Sequence, residues 1–352
     1  ALLGALCVLV RGAGSSCSSC FKGLLLELLR VAESSRALDQ EVPGLGCCLE
    51  ALTQKLGEHE VIDVAEPMMA LYVSALEAGY ASGRGLQEET LRAVGALVVL
   101  LGARFAAFLA TFWPALARAM EDAEYPQVCT TALAVFRHVA AALGKGVLPH
   151  ADQAQTIVQH LLRDPGISPE LRAPAAASLG SLCLAVGGES ARLGEALDGL
   201  RAAGIAVTAN GRRPKNLGAV GPRQAGPKRI CSQRAPDSWL LRRELTSAVL
   251  EAYEMVVRSL GAAGRLEALR GHLSALIDFL TFCAASRRAD EASLARCLLI
   301  LGALAEAMPG GLATFCWCDE DGCVTKLVGL GSTSTSPDLR RAATVIAALR
   351  DA

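Results

Sequence analysis

Apolar residues recur at helical spacing along most of this chain, and the apolar stretches end at glycines. Residues 125–150, YPQVCTTALAVFRHVAAALGKGVLPH, show the pattern clearly. Leu133, Phe136 and Ala140 lie on one face of a predicted helix. Gly144 then ends that helix, because glycine readily adopts the backbone conformation of a helix C-terminus. The pattern predicts an amphipathic helix that stops at Gly144.

Glycines that end such helices recur at a nearly constant interval. They are Gly12, Gly57, Gly102, Gly144, Gly187, Gly261 and Gly310. The successive intervals are 45, 45, 42, 43, 74 and 49 residues. A period of about 40–47 residues with two helices per unit is typical of HEAT and armadillo repeats. Since one helical hairpin cannot bury its apolar face alone, the sequence predicts an all-α HEAT-repeat α-solenoid, a right-handed superhelix of antiparallel helix pairs.

The 74-residue interval contains one segment that breaks the pattern. Residues 204–236 are rich in glycine, proline and basic residues and have no helical stripe. Removing about 30 residues restores about one period. We therefore predict HEAT repeats over residues 1–203, a basic, disordered insertion over 204–236, and further HEAT repeats over 237–352.

The insertion also hides a charge asymmetry. It contains no Asp or Glu, and its seven basic residues are Arg212, Arg213, Lys215, Arg223, Lys228, Arg229 and Arg234. The whole chain has a net charge of −1, so removing these seven positive charges leaves −8 for the rest. The net charge of −1 for the whole chain predicts no direct binding of nucleic acid. An acidic helical array is suited instead to an extended basic peptide.

Three interpretations of the insertion are open. The stretches GRRPK and GPKR resemble short nuclear localisation or nucleic-acid-binding patches. The segment could equally be a solvated linker with a basic bias. A third hypothesis is that it folds back onto the acidic face and competes with basic ligands.

The first ten residues, ALLGALCVLV, resemble the apolar part of a signal peptide but have no preceding basic region. We interpret them as part of a helix in a longer array whose preceding repeats are missing. The longest uncharged run, residues 173–188, is shorter than a bilayer span. The sequence therefore predicts no membrane insertion.

Thirteen cysteines are present, and several, among them Cys129, Cys183, Cys283 and Cys297, stand singly in apolar helical stretches, where cysteine acts as a small hydrophobic residue. This favours reduced thiols in the cytosol or nucleus. A zinc or redox site is the alternative, built on the cysteines Cys17, Cys20, Cys316, Cys318 and Cys323. The two clusters are far apart in the sequence, and the second has three thiols with no nearby His. No catalytic or phosphate-binding motif occurs, so we predict no enzyme activity, no cofactor and no metal.

Four stretches carry a family resemblance: residues 85–120, 123–153, 168–189 and 241–261. The phrases EYPQVC and AVGGE are more specific than the apolar pattern that HEAT repeats share. The chain resembles the C-terminal half of importin-β, the karyopherin-β nuclear transport receptor.

The resemblance implies a receptor without catalytic activity, present in the cytoplasm, the nucleus and the pores of the nuclear envelope. It implies three partners: the basic importin-β-binding segment of importin-α or basic nuclear localisation segments, RanGTP, and phenylalanine–glycine nucleoporins. A generic HEAT-repeat scaffold for a protein complex is the alternative function.

In such a solenoid we expect the second helix of each pair to line the concave face. Acidic residues recur at or just before the start of these helices: Glu88, Glu89, Glu121, Asp122, Glu124, Glu170, Glu244, Asp290 and Glu291. We predict that they pair with Lys and Arg of a basic ligand. The alternative is helix capping, because acidic groups are favoured at helix N-termini. Trp113 is a further partner-binding candidate that could stack on a ligand side chain, with a core position as its alternative.

Overall fold

The computed structural model describes residues 2–13, 18–34, 45–82, 84–187, 193–209, 238–285, 290–308 and 323–351. They form two compact units, Ala1–Ala196 and Leu197–Ala352. The α-helices are α1 (Leu2–Gly12), α2 (Ser18–Ser34), α3 (Leu45–Lys55), α4 (Glu58–Ser82), α5 (Arg84–Leu101), α6 (Ala106–Glu121), α7 (Pro126–Leu143), α8 (Leu148–Arg163), α9 (Arg172–Val186), α10 (Leu193–Ala209), α11 (Ser238–Ala262), α12 (Leu273–Ala285), α13 (Glu291–Ala307), α14 (Cys323–Thr333) and α15 (Pro337–Asp351). The regular structure of these described residues is helical, as predicted.

The first unit consists of two layers of helices. The odd layer is α1, α3, α5, α7 and α9, in which each helix packs on the next. The even layer is α2, α4, α6 and α8, and each of these also packs on the odd helix that follows it. The Ser178 hydroxyl in α9 donates a hydrogen bond to the Leu133 carbonyl in α7 at 3.3 Å, so equivalent points of successive odd helices lie side by side. Two successive contacts show the direction for α3 and α5: Gly46 lies against Glu89, and one turn later Glu50 lies near Arg92. These odd helices are parallel, as a stack of repeated hairpins requires.

The second unit repeats this arrangement. Its odd layer contains α11, α13 and α15, and its even layer contains α12 and α14. Two glycines allow close contact between these helices. A side chain on Gly302 of α13 would begin 2.5 Å from Cβ of Ala342 in α15. A side chain on Gly331 of α14 would begin 2.5 Å from Cβ of Ala343.

The predicted helix ends agree with the structure at Gly102, Gly144 and Gly187. Each follows the last residue of an odd helix and has a positive φ, of 53°, 51° and 69°. Glycine adopts this backbone without the steric cost that a Cβ would impose. The prediction was one turn early at Gly261, because α11 continues to Ala262 and the positive φ falls at Gly264.

The insertion begins later than predicted. Helix α10 extends to Ala209, so residues 204–209 are helical. They are held in place because Gly204 lies against the ring of Phe279, where a Cβ would be only 3.3 Å from the ring. Val207 is buried, and its carbonyl accepts a hydrogen bond from Arg242. The rest of the segment, residues 210–236 with all seven basic residues, lies outside the described residues.

Three helical stretches are long and apolar enough to cross a membrane by length and composition: Gln87–Glu121, Pro126–Arg163 and Leu266–Ala285. The first two each consist of two α-helices joined by a 3-10 turn. These turns begin at the positive-φ residues Gly102 and Gly144. Leu97 and Leu116 of the first stretch and Leu133 and Val158 of the second are completely buried against other parts of the chain. The absence of membrane insertion remains a prediction.

Candidate functional site

A groove of about 440 Å³ crosses α3, α5 and α7 of the odd layer. Small residues, Gly95 and Ala96 of α5 and Ala134 of α7, are part of its lining. A Cβ on Gly95 would lie 3.3 Å from Cγ2 of Val135, so α5 and α7 approach each other closely here. Val99 is 62% exposed on the wall. The other lining residues are Glu50, Gln54, Arg92, Leu100, Thr131 and His138.

Charged side chains meet at one side of this groove. The Arg92 guanidinium lies 3.2 Å from Oε1 of Glu88, one turn earlier in α5, and 4.0 Å from Oε2 of Glu50 in α3. Arg11 of α1 also lies 4.0 Å from Glu50. On the opposite side, burial and then the charge of Arg137 lower the pKa of His138, which keeps its imidazole neutral at pH 7. Arg92 is thus held between two carboxylates from neighbouring odd helices.

The second unit contains the same type of cluster between α11 and α13. Arg296 of α13 lies 3.3 Å from Glu254 and 3.8 Å from Glu251, both in α11. Glu254 also pairs with Arg258 at 2.8 Å, one turn later in α11. Like Glu50 and Arg92, the residues Glu254 and Arg296 are 42 positions apart, which is one repeat.

Asp290 is both a helix cap and an ion-pair partner. Its Oδ1 accepts a hydrogen bond from the Ser293 backbone N–H at 2.8 Å, which caps α13. Its Oδ2 lies 3.3 Å from the Arg243 guanidinium. Hydrogen bonds from Ser293, first from its side chain and then from its backbone, lower the pKa of Asp290, and Arg243 adds to this effect. The capping alternative therefore describes Asp290 well.

Apart from Glu121, which is the last residue of α6, the predicted carboxylates lie in the first two turns of the odd helices or just before them, and we call this side the N-terminal edge of each unit. Because the odd helices are parallel, their N-terminal ends lie on the same side of their unit. In the first unit the edge carries Glu88, Glu89, Glu121, Asp122, Glu124 and Glu170; in the second it carries Glu244, Asp290 and Glu291. Among the described residues, no ion pair is formed by Glu121, Glu124, Glu170, Glu244 or Glu291, and all five are exposed.

Trp113 lies in the core of the first unit. Its side chain is 4% exposed, and its Nε1–H donates to Oε1 of Gln153 at 2.8 Å. The ring stacks on His150 with 4.6 Å between centroids and meets the edge of Phe136. The indole therefore has no face available to a partner, and we propose no stacking role for Trp113.

Most of the described cysteines are buried. Burial raises the pKa of Cys129 and Cys183 to about 12 and that of Cys48 to about 11, which is opposite to the shift of a reactive cysteine. Within the described residues no group of three or more metal-type ligands is present. Cys17, Cys316 and Cys318 and the side chain of Cys323 lie outside the described residues.

Sequence reasoning missed the basic half of these clusters and three of their acids, Glu50, Glu251 and Glu254. One signal was present: Glu88 and Arg92, like Glu254 and Arg258, have the i,i+4 spacing of a helical ion pair. A second signal was the separation of 42 residues between Glu50 and Arg92 and between Glu254 and Arg296. This is one repeat, and equivalent positions of adjacent repeats lie next to each other.

Two layers of stacked helical hairpins define the class of this protein as a helical-repeat solenoid. A family model described as "Importin subunit beta-1-like, TPR repeats" matches residues 25–197. Importin subunit beta-1 of Arabidopsis thaliana is 28% identical over 167 residues, and that of Schizosaccharomyces pombe is 24% identical over 226 residues. These alignments cover 46% and 64% of this chain.

Solved structures show the same likeness. A crystal structure of importin-β matches 99% of this chain with a TM-score of 0.77 at 18% identity, and that of yeast importin-β matches 99% with a TM-score of 0.71 at 18% identity. The chain is importin-β-like, and the resemblance and the HEAT-repeat fold predicted from the sequence are confirmed. It spans only 19% and 24% of the two curated relatives and 39% of each of these two structures.

Proposed function

We propose that this chain acts as part of an importin-β-type nuclear transport receptor, and that the N-terminal edge of each unit binds basic segments. The observation that carries the proposal is the row of carboxylates at these edges, five of which are exposed and have no ion pair within the described residues. Helix N-termini favour acidic groups, which explains any one of them. The row also coincides with a charge of −8 for the chain without its seven basic insertion residues.

The ligand that this charge pattern favours is an extended or helical segment rich in Lys and Arg. The importin-β-binding segment of importin-α has this chemistry, as do basic nuclear localisation segments. Each exposed carboxylate that meets a ligand cation contributes about 0.2–1 kcal/mol, so affinity must come from several pairs acting together. Salt screens such pairs over about 10 Å at 0.1 M, and binding should therefore weaken as salt rises.

Because the fold is importin-β-like, we propose two further partners, RanGTP and phenylalanine–glycine nucleoporins. Similar solved structures include a complex of Kap95 with Nup1, and another in which Kap95p binding induces the switch loops of RanGDP to adopt the GTP-bound conformation. With these partners the chain would work in the cytoplasm, the nucleus and the pores of the nuclear envelope. We propose a binding role without catalysis or cofactor, and the acidic charge disfavours direct contact with nucleic acid.

Neutralising three edge carboxylates tests this proposal. The variant Glu121→Gln, Glu124→Gln, Glu170→Gln is expected to weaken binding of a peptide with the importin-β-binding sequence about 5- to 50-fold at low salt, because three pairs of about 0.3–0.8 kcal/mol are lost. Isothermal titration calorimetry on the 352-residue chain measures the change.

The matched control removes three exposed carboxylates from even helices, with the changes Glu66→Gln and Glu77→Gln in α4 and Asp152→Asn in α8. It alters the net charge equally and should change the affinity less than twofold. Equal losses in both variants would mean that only the overall charge matters. If neither variant changes the affinity, the edge is not the ligand site and a generic scaffold becomes the better description.

A further inference from the structure

Two arginines lie between carboxylates inside the odd layer, one in each unit. Arg92 is held by Glu88 and Glu50, and Arg296 by Glu254 and Glu251. Both guanidinium groups remain partly open to solvent, with side-chain exposures of 42% and 31%. A ligand arginine that approached either cluster would meet carboxylates that already have a cation.

The carboxylates in these clusters are less exposed than those of the N-terminal edges. The side chains of Glu50 and Glu254 are 17% and 20% exposed, and that of Glu251 is 25% exposed. Water screens a pair less as the pair becomes more buried, so each of these carboxylates interacts more strongly with a cation than a fully exposed one does. A half-buried carboxylate that loses its cation also bears an unfavourable desolvation cost. The carboxylates of each cluster are therefore more stable with a cation beside them, whether that cation belongs to the chain or to a ligand.

The neighbouring charge does not outweigh this preference. At the first cluster, Glu50, Glu88 and Glu89 face the arginines Arg92 and Arg11, and Arg137 lies beyond His138. At the second cluster, Arg258 shares Glu254 with Arg296. Each cluster thus has a close balance of acidic and basic groups, in which one arginine can be exchanged for another.

We propose that Arg92 and Arg296 are internal competitors of a basic ligand, each occupying a two-carboxylate site that a ligand arginine or lysine takes over on binding. This inference rests on the proposed function. Each exchange also removes one ionic link between neighbouring odd helices, α3 with α5 and α11 with α13. Each arginine thereby lowers the affinity of its own unit for basic segments, and a ligand binds there only if its cation replaces that arginine.

The test removes the competing charge. The double variant Arg92→Gln, Arg296→Gln is expected to bind the peptide with the importin-β-binding sequence about 3- to 20-fold more tightly at low salt, since each cluster contributes a factor of a few. The control is Arg30→Gln, Arg270→Gln. Arg30 pairs with Glu27 in α2 at 2.7 Å, and Arg270 pairs with Glu267 in a 3-10 turn at 2.8 Å, each three residues along the chain. This control changes the net charge equally and should alter the affinity less than twofold.

A second pair of substitutions separates competition from loosened packing. Arg92→Lys with Arg296→Lys keeps both cations, so its affinity should stay within twofold of the unaltered chain. If the lysine variant binds as tightly as the glutamine variant, the gain comes from packing and competition is overturned. If a glutamine variant shows no cooperative thermal unfolding, a methionine variant at the same position is used in its place. Methionine also lacks the charge and keeps an unbranched side chain.

The outcomes also separate this inference from the proposed function. If the unaltered chain binds no basic peptide at low salt and the glutamine variant does not either, the proposed function fails. If the unaltered chain binds with a steep salt dependence and the glutamine variant shows equal or weaker affinity, only the competition fails.

Discussion

Replacing Trp113 with alanine is expected to lower the free energy of unfolding of the first unit by about 3–5 kcal/mol. The indole is 4% exposed, and its removal would leave a cavity between α6, α7 and α8. The Oε1 of Gln153 would lose its donor at 2.8 Å, and His150 would lose the ring on which it stacks. Urea denaturation followed by circular dichroism at 222 nm measures the loss.

Trp239→Ala is the matched control, because Trp239 is 49% exposed at the start of α11. The same substitution there should cost less than about 1 kcal/mol, since surface changes usually have small effects. If Trp113→Ala cost no more than Trp239→Ala, the core position of the indole would be wrong, and a partner-binding role for Trp113 would return.

Replacing Gly302 with alanine is expected to destabilise the second unit by about 1–3 kcal/mol, although alanine is the better helix former. The new Cβ would begin 2.5 Å from Cβ and 2.9 Å from Cα of Ala342. Because a Cα belongs to the backbone and cannot rotate away, α13 and α15 would have to separate. Urea denaturation of the full chain, with probes in each unit, reports the change.

Gly329→Ala is the control of opposite sign. Gly329 lies inside α14, and a Cβ added there would have no neighbouring atom within 4 Å, so alanine should stabilise the helix by about 0.5–1 kcal/mol. We therefore expect the glycine-to-alanine substitution to destabilise the chain at Gly302 and to stabilise it at Gly329. A stabilising Gly302→Ala would show that α13 and α15 do not approach each other so closely.

The repeat architecture could be predicted from sequence because it depends on local signals. The glycines at 102, 144 and 187 end odd helices, and the apolar stripes between them form the layers. The end of α10 was harder to predict, because Ala209 lies in a stretch without a helical stripe. Its last turns depend on distant contacts, Gly204 against Phe279 and the Val207 carbonyl with Arg242.

The candidate site was only partly predictable for a similar reason. The acidic positions at helix starts could be found from sequence, since they follow the helix boundaries. That Arg92 reaches Glu50 depends on how far α5 is rotated against α3, and this is decided by packing, as at Gly46, which lies against Glu89. The sequence alone therefore indicated an acidic surface and could not show that its own arginines partly neutralise it.

The most direct test of the central claim is the affinity of the 352-residue chain for a peptide with the importin-β-binding sequence of importin-α, measured from about 50 to 300 mM salt. We predict binding at low salt that weakens steeply as the salt concentration rises, because several exposed ion pairs carry it. Absence of binding at the lowest salt, or an affinity that stays constant across the range, would contradict an electrostatic receptor surface and favour a generic helical-repeat scaffold.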